Sequence, residues 1–265
     1  MTLPSNLDLA SCCSLAYSHP AARWLLGDSF HPGGLGLTSR LAQRLGIDAG
    51  ARVLDAGCGR GASAVHLART IGCRVVGVTL ETELVEAARA KAQQEGVQEL
   101  ATFVQGDLYE TPLEKERFDA AIMECVLSIL PDKEGALRLV AEALRPGGRV
   151  GLTDVTVSGP LPPELQGVLA VAGCVGDARS LADYRDLATA AGLTIEHTED
   201  LRETAAQFLK DIKGKMLIAE IGAKLGKLPI GVGLVEQARG LLSKTQELVQ
   251  QGALSYGMVV ARKPA

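Results

Sequence analysis

The stretch VLDAGCGRG at residues 53–61 constrains this chain more than any other. It sets three alternating glycines, Gly57, Gly59 and Gly61, between a run that reads as a strand (ARVLDAG) and one that reads as a helix (Ser63 to Ile71). Glycine adopts positive φ without strain and lets a ligand come close to the backbone. The N–H groups that open the following helix can then bind an anion such as a pyrophosphate. Here Asp55 sits at the strand end, and a carboxylate in that crevice repels a pyrophosphate while suiting an ammonium group. The turn therefore predicts a site for a cationic small molecule.

The pattern continues on both sides of the turn. CRVVGVTL, ATFVQGD, RFDAAIMEC and RVGLTDV read as further strands, with helices from about Glu81 to Glu95 and from Asp132 to Leu144, the latter closed by RPGG. Near-continuous apolar strands separated by helices imply a parallel sheet covered on both faces. SLADYRDLATAAGL reads as a helix with a Ser cap and a terminal Gly192, TIEHTED as a strand, and residues 203–250 as mostly helical with a break near KLPIGVG. ALSYGMVVARK then supplies a last strand, inserted antiparallel. The expected fold is α/β: a doubly wound, mostly parallel seven-stranded sheet with a helical insertion before its final strand. A lid or substrate segment is expected over 1–48 and the main domain over 49–265.

Composition excludes several function classes. Lys and Arg total 27 against 31 Asp and Glu, a net charge of −4, and no basic stripe with aromatics is present, so a nucleic-acid partner is not expected. No apolar run reaches the ~20 residues needed to span a bilayer, and MTLPSNLDLA lacks the charged start and apolar core of a secretory signal. A cytoplasmic location is expected, with the six cysteines mostly reduced. None of them forms the CxxC pairs of a structural zinc site. Oligomeric state leaves no mark in the sequence.

Four stretches, in order and at matching distances, carry a family resemblance. VLDAGCGRG resembles the first motif of the class I S-adenosylmethionine-dependent methyltransferases. GDLYETPL at 106–113 is similar to their loop whose acidic residue, here Asp107, bonds the adenine amino group. RFDAAIMEC at 117–125 resembles their fourth strand, which ends at Glu124 beside the methionine moiety, and LRPGGRVGLTDV at 144–155 the turn into the fifth. The cofactor so implied, S-adenosyl-L-methionine, has an α-ammonium, a sulfonium and no phosphate, which agrees with Asp55. The resemblance makes Asp55, Gly57, Cys58, Gly59, Gly61, Thr79, Leu80, Gly106, Asp107, Leu108 and Glu124 the cofactor-binding set. Many members place an acidic residue at the end of the second strand for the ribose hydroxyls; this chain has Thr79 there and Glu81 two residues later.

The methyl acceptor is read from the cysteines. Cys125 follows the fourth strand, Cys174 follows the fifth, and Cys12 and Cys13 are adjacent in the segment before the cradle. Ligands of open α/β sheets bind outside the carboxyl ends of the strands, so these thiols can converge there. Soft thiolates suit a soft acceptor such as trivalent arsenic, whose lone pair can attack the methyl group in line with the departing sulfur. ECVLSILPDKEG and AGCVGDARSLADY resemble the two downstream cysteine regions of the arsenite methyltransferases, which implies Cys125, Cys174 and one of Cys12 or Cys13 as metalloid ligands and catalytic groups. The vicinal pair departs from that family's wider spacing. Two alternatives stand beside it: a methyltransferase for an organic small molecule with cysteines as packing, and a non-catalytic thiol-rich metal-binding protein. His31, in HPGGL, reads as a general base or as an ordinary surface turn residue.

Overall fold

The computed structural model describes residues 29, 31–162, 175, 177–224 and 232–265. Its strands are β1 (Arg52–Ala56), β2 (Arg74–Thr79), β3 (Ala101–Gln105), β4 (Phe118–Glu124), β5 (Leu144–Val157), β6 (Thr194–Asp200) and β7 (Leu254–Arg262). They form one sheet in the order β3-β2-β1-β4-β5-β7-β6. β1 to β5 run parallel, and β7 is antiparallel to both of its neighbours. The helices, in chain order, are α1 (Gly34–Leu45), α2 (Ala62–Ile71), α3 (Thr82–Gln94), α4 (Lys133–Ala143), α5 (Leu181–Ala190), α6 (Arg202–Lys224) and α7 (Val232–Gln251).

The central strands are apolar on both faces because helices cover both. Val53, Ile122 and Met258 face one cluster with Leu41, Leu67 and Val85, so α1, α2 and α3 lie on that side. Leu54, Met123 and Val259 face the other with Leu137, Val140 and Ala188, which places α4 and α5 opposite. Polar caps fix where the outer helices begin. Asp132 accepts from the Gly135 N–H at the start of α4, and Ser180 and Asp183 exchange side-chain and backbone bonds in a full capping box at α5.

One junction differs from expectation. The chain joins the sheet at Leu144, opposite Phe118, and residues 145–148 then bulge out before pairing resumes at Ala120 and Arg149. The end of β7 holds this bulge: Gly147 N–H donates to the Lys263 carbonyl, and Lys263 N–H to that of Gly148. RPGG is thus part of the strand run and not a separate turn.

The sheet positions the site through its order. β1 and β4 are neighbours, and the connections leave them in opposite directions, which opens a crevice beyond their carboxyl ends. The insertion lies between β6 and β7 as α6 and α7, with the expected break falling partly outside the described residues. Among the described residues no helix is long and apolar enough to cross a membrane.

Helix α1 reaches the sheet through a gap. A Cβ on Gly151 of β5 would lie 2.6 Å from Leu41 Cδ1 and 3.1 Å from Leu45 Cδ1, so a side chain there displaces the helix. Gly151→Val is expected to destabilise the fold by about 1–3 kcal/mol through overpacking, measured as a lower midpoint in urea unfolding.

Candidate active site

Near the carboxyl ends of β1 and β4 stand two carboxylates, Asp55 and Glu124. Asp55 is 3% exposed. It accepts a hydrogen bond from the Ala64 N–H in the first turn of α2, whereas its Oδ2 is buried with no hydrogen-bond partner. Burial, and then the nearby charge of Glu124, push the Asp55 pKa well above the ordinary carboxylate range; the Ala64 bond opposes them without winning.

Glu124 is the satisfied member of the pair. Thr38 Oγ1 of α1 donates to its Oε1 at 3.1 Å, Ser63 Oγ of α2 donates to Oε2 at 2.5 Å, and His31 Nε2 lies 3.6 Å from Oε2. The carboxylate therefore ties β4 to α1, to α2 and to the segment before α1.

Both groups open on one cavity of about 220 Å³. Asp55, Gly57, Cys58, Gly59, Thr79, Leu80, Gly106, Asp107, Leu108, Glu124 and Cys125 all line it. Gly61 does not; it is the left-handed residue that starts α2, with φ 72°. Gly57 is constrained twice: its φ is 85°, and a Cβ would lie 2.4 Å from Val126 Cγ2. A Cβ on Gly59 meets nothing within 4 Å, so the turn stays open. The orphaned Asp55 oxygen beside this glycine turn fits a ligand that brings a cationic donor. Asp107 Oδ1 accepts from the Tyr109 N–H at 2.9 Å, and Tyr109 Oη donates to the Asp132 carbonyl at 2.8 Å, which pins the loop after β3 to the start of α4.

The cysteines divide. Cys58 lies over Gly77 of β2, where a Cβ would come within 2.7 Å of its Sγ, and burial and the charge of Asp55 push its thiol well up. Cys73 is fully buried in the core, and burial raises its pKa to about 11. Cys125, at φ 55°, has its Sγ 3.1 Å from Tyr256 Oη. Cys12, Cys13 and Cys174 lie outside the described residues. Among the described residues no group of three or more His, Cys, Asp and Glu is arranged to hold a metal ion.

His31 is 4% exposed, which corrects its reading as a surface turn residue. Together with Ser29 it lines the first cavity and also a second one, of about 690 Å³, that runs between Gly33–Gly34 and the α6 residues Thr204, Phe208, Ile212 and Lys215.

Asp55 generates the first functional prediction. Its folded-state pKa lies above its unfolded value, so the folded state holds the proton more tightly, and stability falls as pH rises between the two. Asp55→Asn should raise the melting temperature of the ligand-free protein at pH 8, with the gain vanishing toward pH 4. The same change should weaken S-adenosylmethionine binding about 100-fold in titration calorimetry, the scale of a lost charge-assisted bond.

Comparison with known proteins agrees with this geometry. The methyltransferase domain model matches residues 53–148. The 27-O-demethylrifamycin SV methyltransferase of Amycolatopsis mediterranei is 31% identical over 231 residues, covering 86% of this chain and 83% of that protein. The (+)-O-methylkolavelool synthase of Herpetosiphon aurantiacus is 28% identical over 92% of this chain and 90% of its own length. An arsenite methyltransferase of Halobacterium salinarum is 29% identical over 61% of this chain, a match that spans only 42% of that enzyme. Among solved structures, the Haemonchus contortus phosphoethanolamine N-methyltransferase 2 in complex with S-adenosyl-L-methionine shares the fold with a TM-score of 0.82 at 21% identity, over 99% of this chain and 62% of that one. The chain belongs to the class I S-adenosylmethionine-dependent methyltransferases.

Proposed function

We propose that this enzyme transfers the S-methyl group to a hydroxyl oxygen of a small organic molecule seated between Ser29, His31, Gly33 and Gly34 on one side and α6 on the other. The observation that carries this reading is the second cavity: it shares a wall with the first and sets Phe208 and Ile212 among polar Glu203, Thr204, Gln207 and Asp211, a lining suited to a carbon skeleton that bears hydroxyl groups. On the donor side, Asp55 would hold the methionine ammonium, the open Gly57–Gly59 turn would admit the methionine part, and Asp107 would bond the adenine amino group. Thr79 and Leu80 would meet the ribose; Cys58, Gly106, Leu108 and Glu124 complete the cavity wall. Two relatives named above are called by the oxygen that they methylate, which supports an oxygen acceptor.

The metalloid reading remains the second one, favoured by Cys125 on the wall of the donor cavity. It requires Cys174 and one of Cys12 or Cys13 to reach Cys125, and the enzyme to act in the cytoplasm on thiol-bound trivalent arsenic.

Labelled S-adenosylmethionine offered with 2-naphthol, pentafluorophenol, 27-O-demethylrifamycin SV or sodium arsenite separates the two. The expected products are methyl ethers. Methylated arsenic that disappears in Cys125→Ser, with no methyl ether from any hydroxyl compound, would overturn the proposal in favour of the metalloid.

A further inference from the structure

We propose that His31 is the general base that takes the proton from the acceptor hydroxyl, with Glu124 as its fixed counter-ion; the inference rests on the oxygen-acceptor reading above. Its imidazole is oriented by its own segment. Nδ1 lies 3.2 Å from the Pro32 carbonyl oxygen, which can only accept, so in the neutral ring Nδ1 carries the hydrogen and Nε2 the lone pair. Nε2 is buried and has no hydrogen-bond partner. Glu124 Oε2, at 3.6 Å, is an acceptor and too distant to satisfy it. Leaving such a nitrogen unpaired is unfavourable, and a bound hydroxyl would remove that penalty.

The position of His31 is as specific as its chemistry. Donor and acceptor must meet where the two cavities adjoin, and of the residues described there only Ser29 and His31 line both. A serine hydroxyl is no base at neutral pH. The other ionisable groups facing this wall are placed for other work. Asp55 lies at the glycine turn on β1, and Glu124 on β4 is bonded by Thr38 and Ser63. Cys125 Sγ lies against Tyr256 Oη. Glu203, Asp211 and Lys215 line only the second cavity, from α6.

The step balances without a further reactant. The acceptor O–H bond breaks and its proton passes to Nε2. The oxygen forms a bond to the methyl carbon as the carbon–sulfur bond breaks, and the sulfur keeps that pair as a neutral thioether. The imidazolium so formed lies beside Glu124, and its proton leaves through the second cavity, whose Glu203, Gln207 and Asp211 are exposed.

The test uses two phenols and two variants. Pentafluorophenol is already ionised at neutral pH and needs no base, whereas 2-naphthol is not. His31→Gln should lose about 100-fold or more in kcat/KM on 2-naphthol, the usual scale of general-base catalysis, and less than about fivefold on pentafluorophenol. Added imidazole should restore part of the 2-naphthol rate of His31→Ala, which also shows that this variant is folded. Calorimetry should find S-adenosylmethionine affinity of both variants within about threefold of the wild type. Equal losses on both phenols, no loss on 2-naphthol or no rescue by imidazole would overturn the assignment and leave the oxygen-acceptor reading standing. A 30-fold loss of donor affinity would overturn it too, by placing His31 in the donor grip. If the wild type methylates neither phenol nor 27-O-demethylrifamycin SV, the oxygen-acceptor reading fails and the assignment with it.

Discussion

A buried carboxylate oxygen with nothing to bond is expensive, and the arrangement of Asp55 keeps one in place. β1 delivers Asp55 to the crevice, and α2 begins so close behind it that the Ala64 N–H bonds one oxygen and leaves the other buried without a partner. The neighbouring strand holds a second carboxylate under opposite conditions. Glu124 receives hydroxyl donors from α1 and α2, so its charge is met within the protein. One acid thereby ties the helices to the sheet, and the other keeps an unpartnered oxygen that a cationic ligand would satisfy. The division depends on β1 and β4 being adjacent at the point where the sheet changes winding direction, since only there do their ends share a crevice.

The donor half of the site is legible in the sequence because its determinants are local. The glycine spacing at 57, 59 and 61, Asp55 before it and Asp107 after β3 each follow from short stretches whose geometry is dictated by backbone freedom and strand–turn–helix order. The strands are legible for the same reason, and so is the capping box at Ser180 and Asp183. The bulge at residues 145–148 is not, because it depends on how β7 returns from more than a hundred residues downstream.

His31 shows the same limit more sharply. In FHPGGLG it sits among the residues that make exposed turns, and its burial comes from elements that the sequence holds far apart: Glu124 behind it and the α6 groove beside it, about 170 residues away. The one nearby clue is that α1 follows at once and packs Leu37 and Leu41 into the core, which draws the preceding residues inward. Of the thiols expected to converge, only Cys125 is among the described residues, with its Sγ against Tyr256 Oη; Cys58 over Gly77 and Cys73 in the core are packing residues, as the strand and turn contexts of their stretches suggest.

The two cavities also differ in what builds them. Strand ends and the turns that directly follow them make the donor cavity, so its shape is bound to the sheet and cannot drift without cost to the core. The second cavity is made by residues ahead of and at the start of α1 and by α6, a helix inserted between the paired strands β6 and β7. Its side chains can change while Asp55, Glu124 and the glycine turn stay fixed. That separation gives a physical reason why relatives alike in this core carry names for acceptors as unlike as a rifamycin, a kolavelool and arsenite. On the proposed reading, Thr204, Phe208, Ile212 and their neighbours on α6 would specify the acceptor, and the motif at residues 53–61 only the donor.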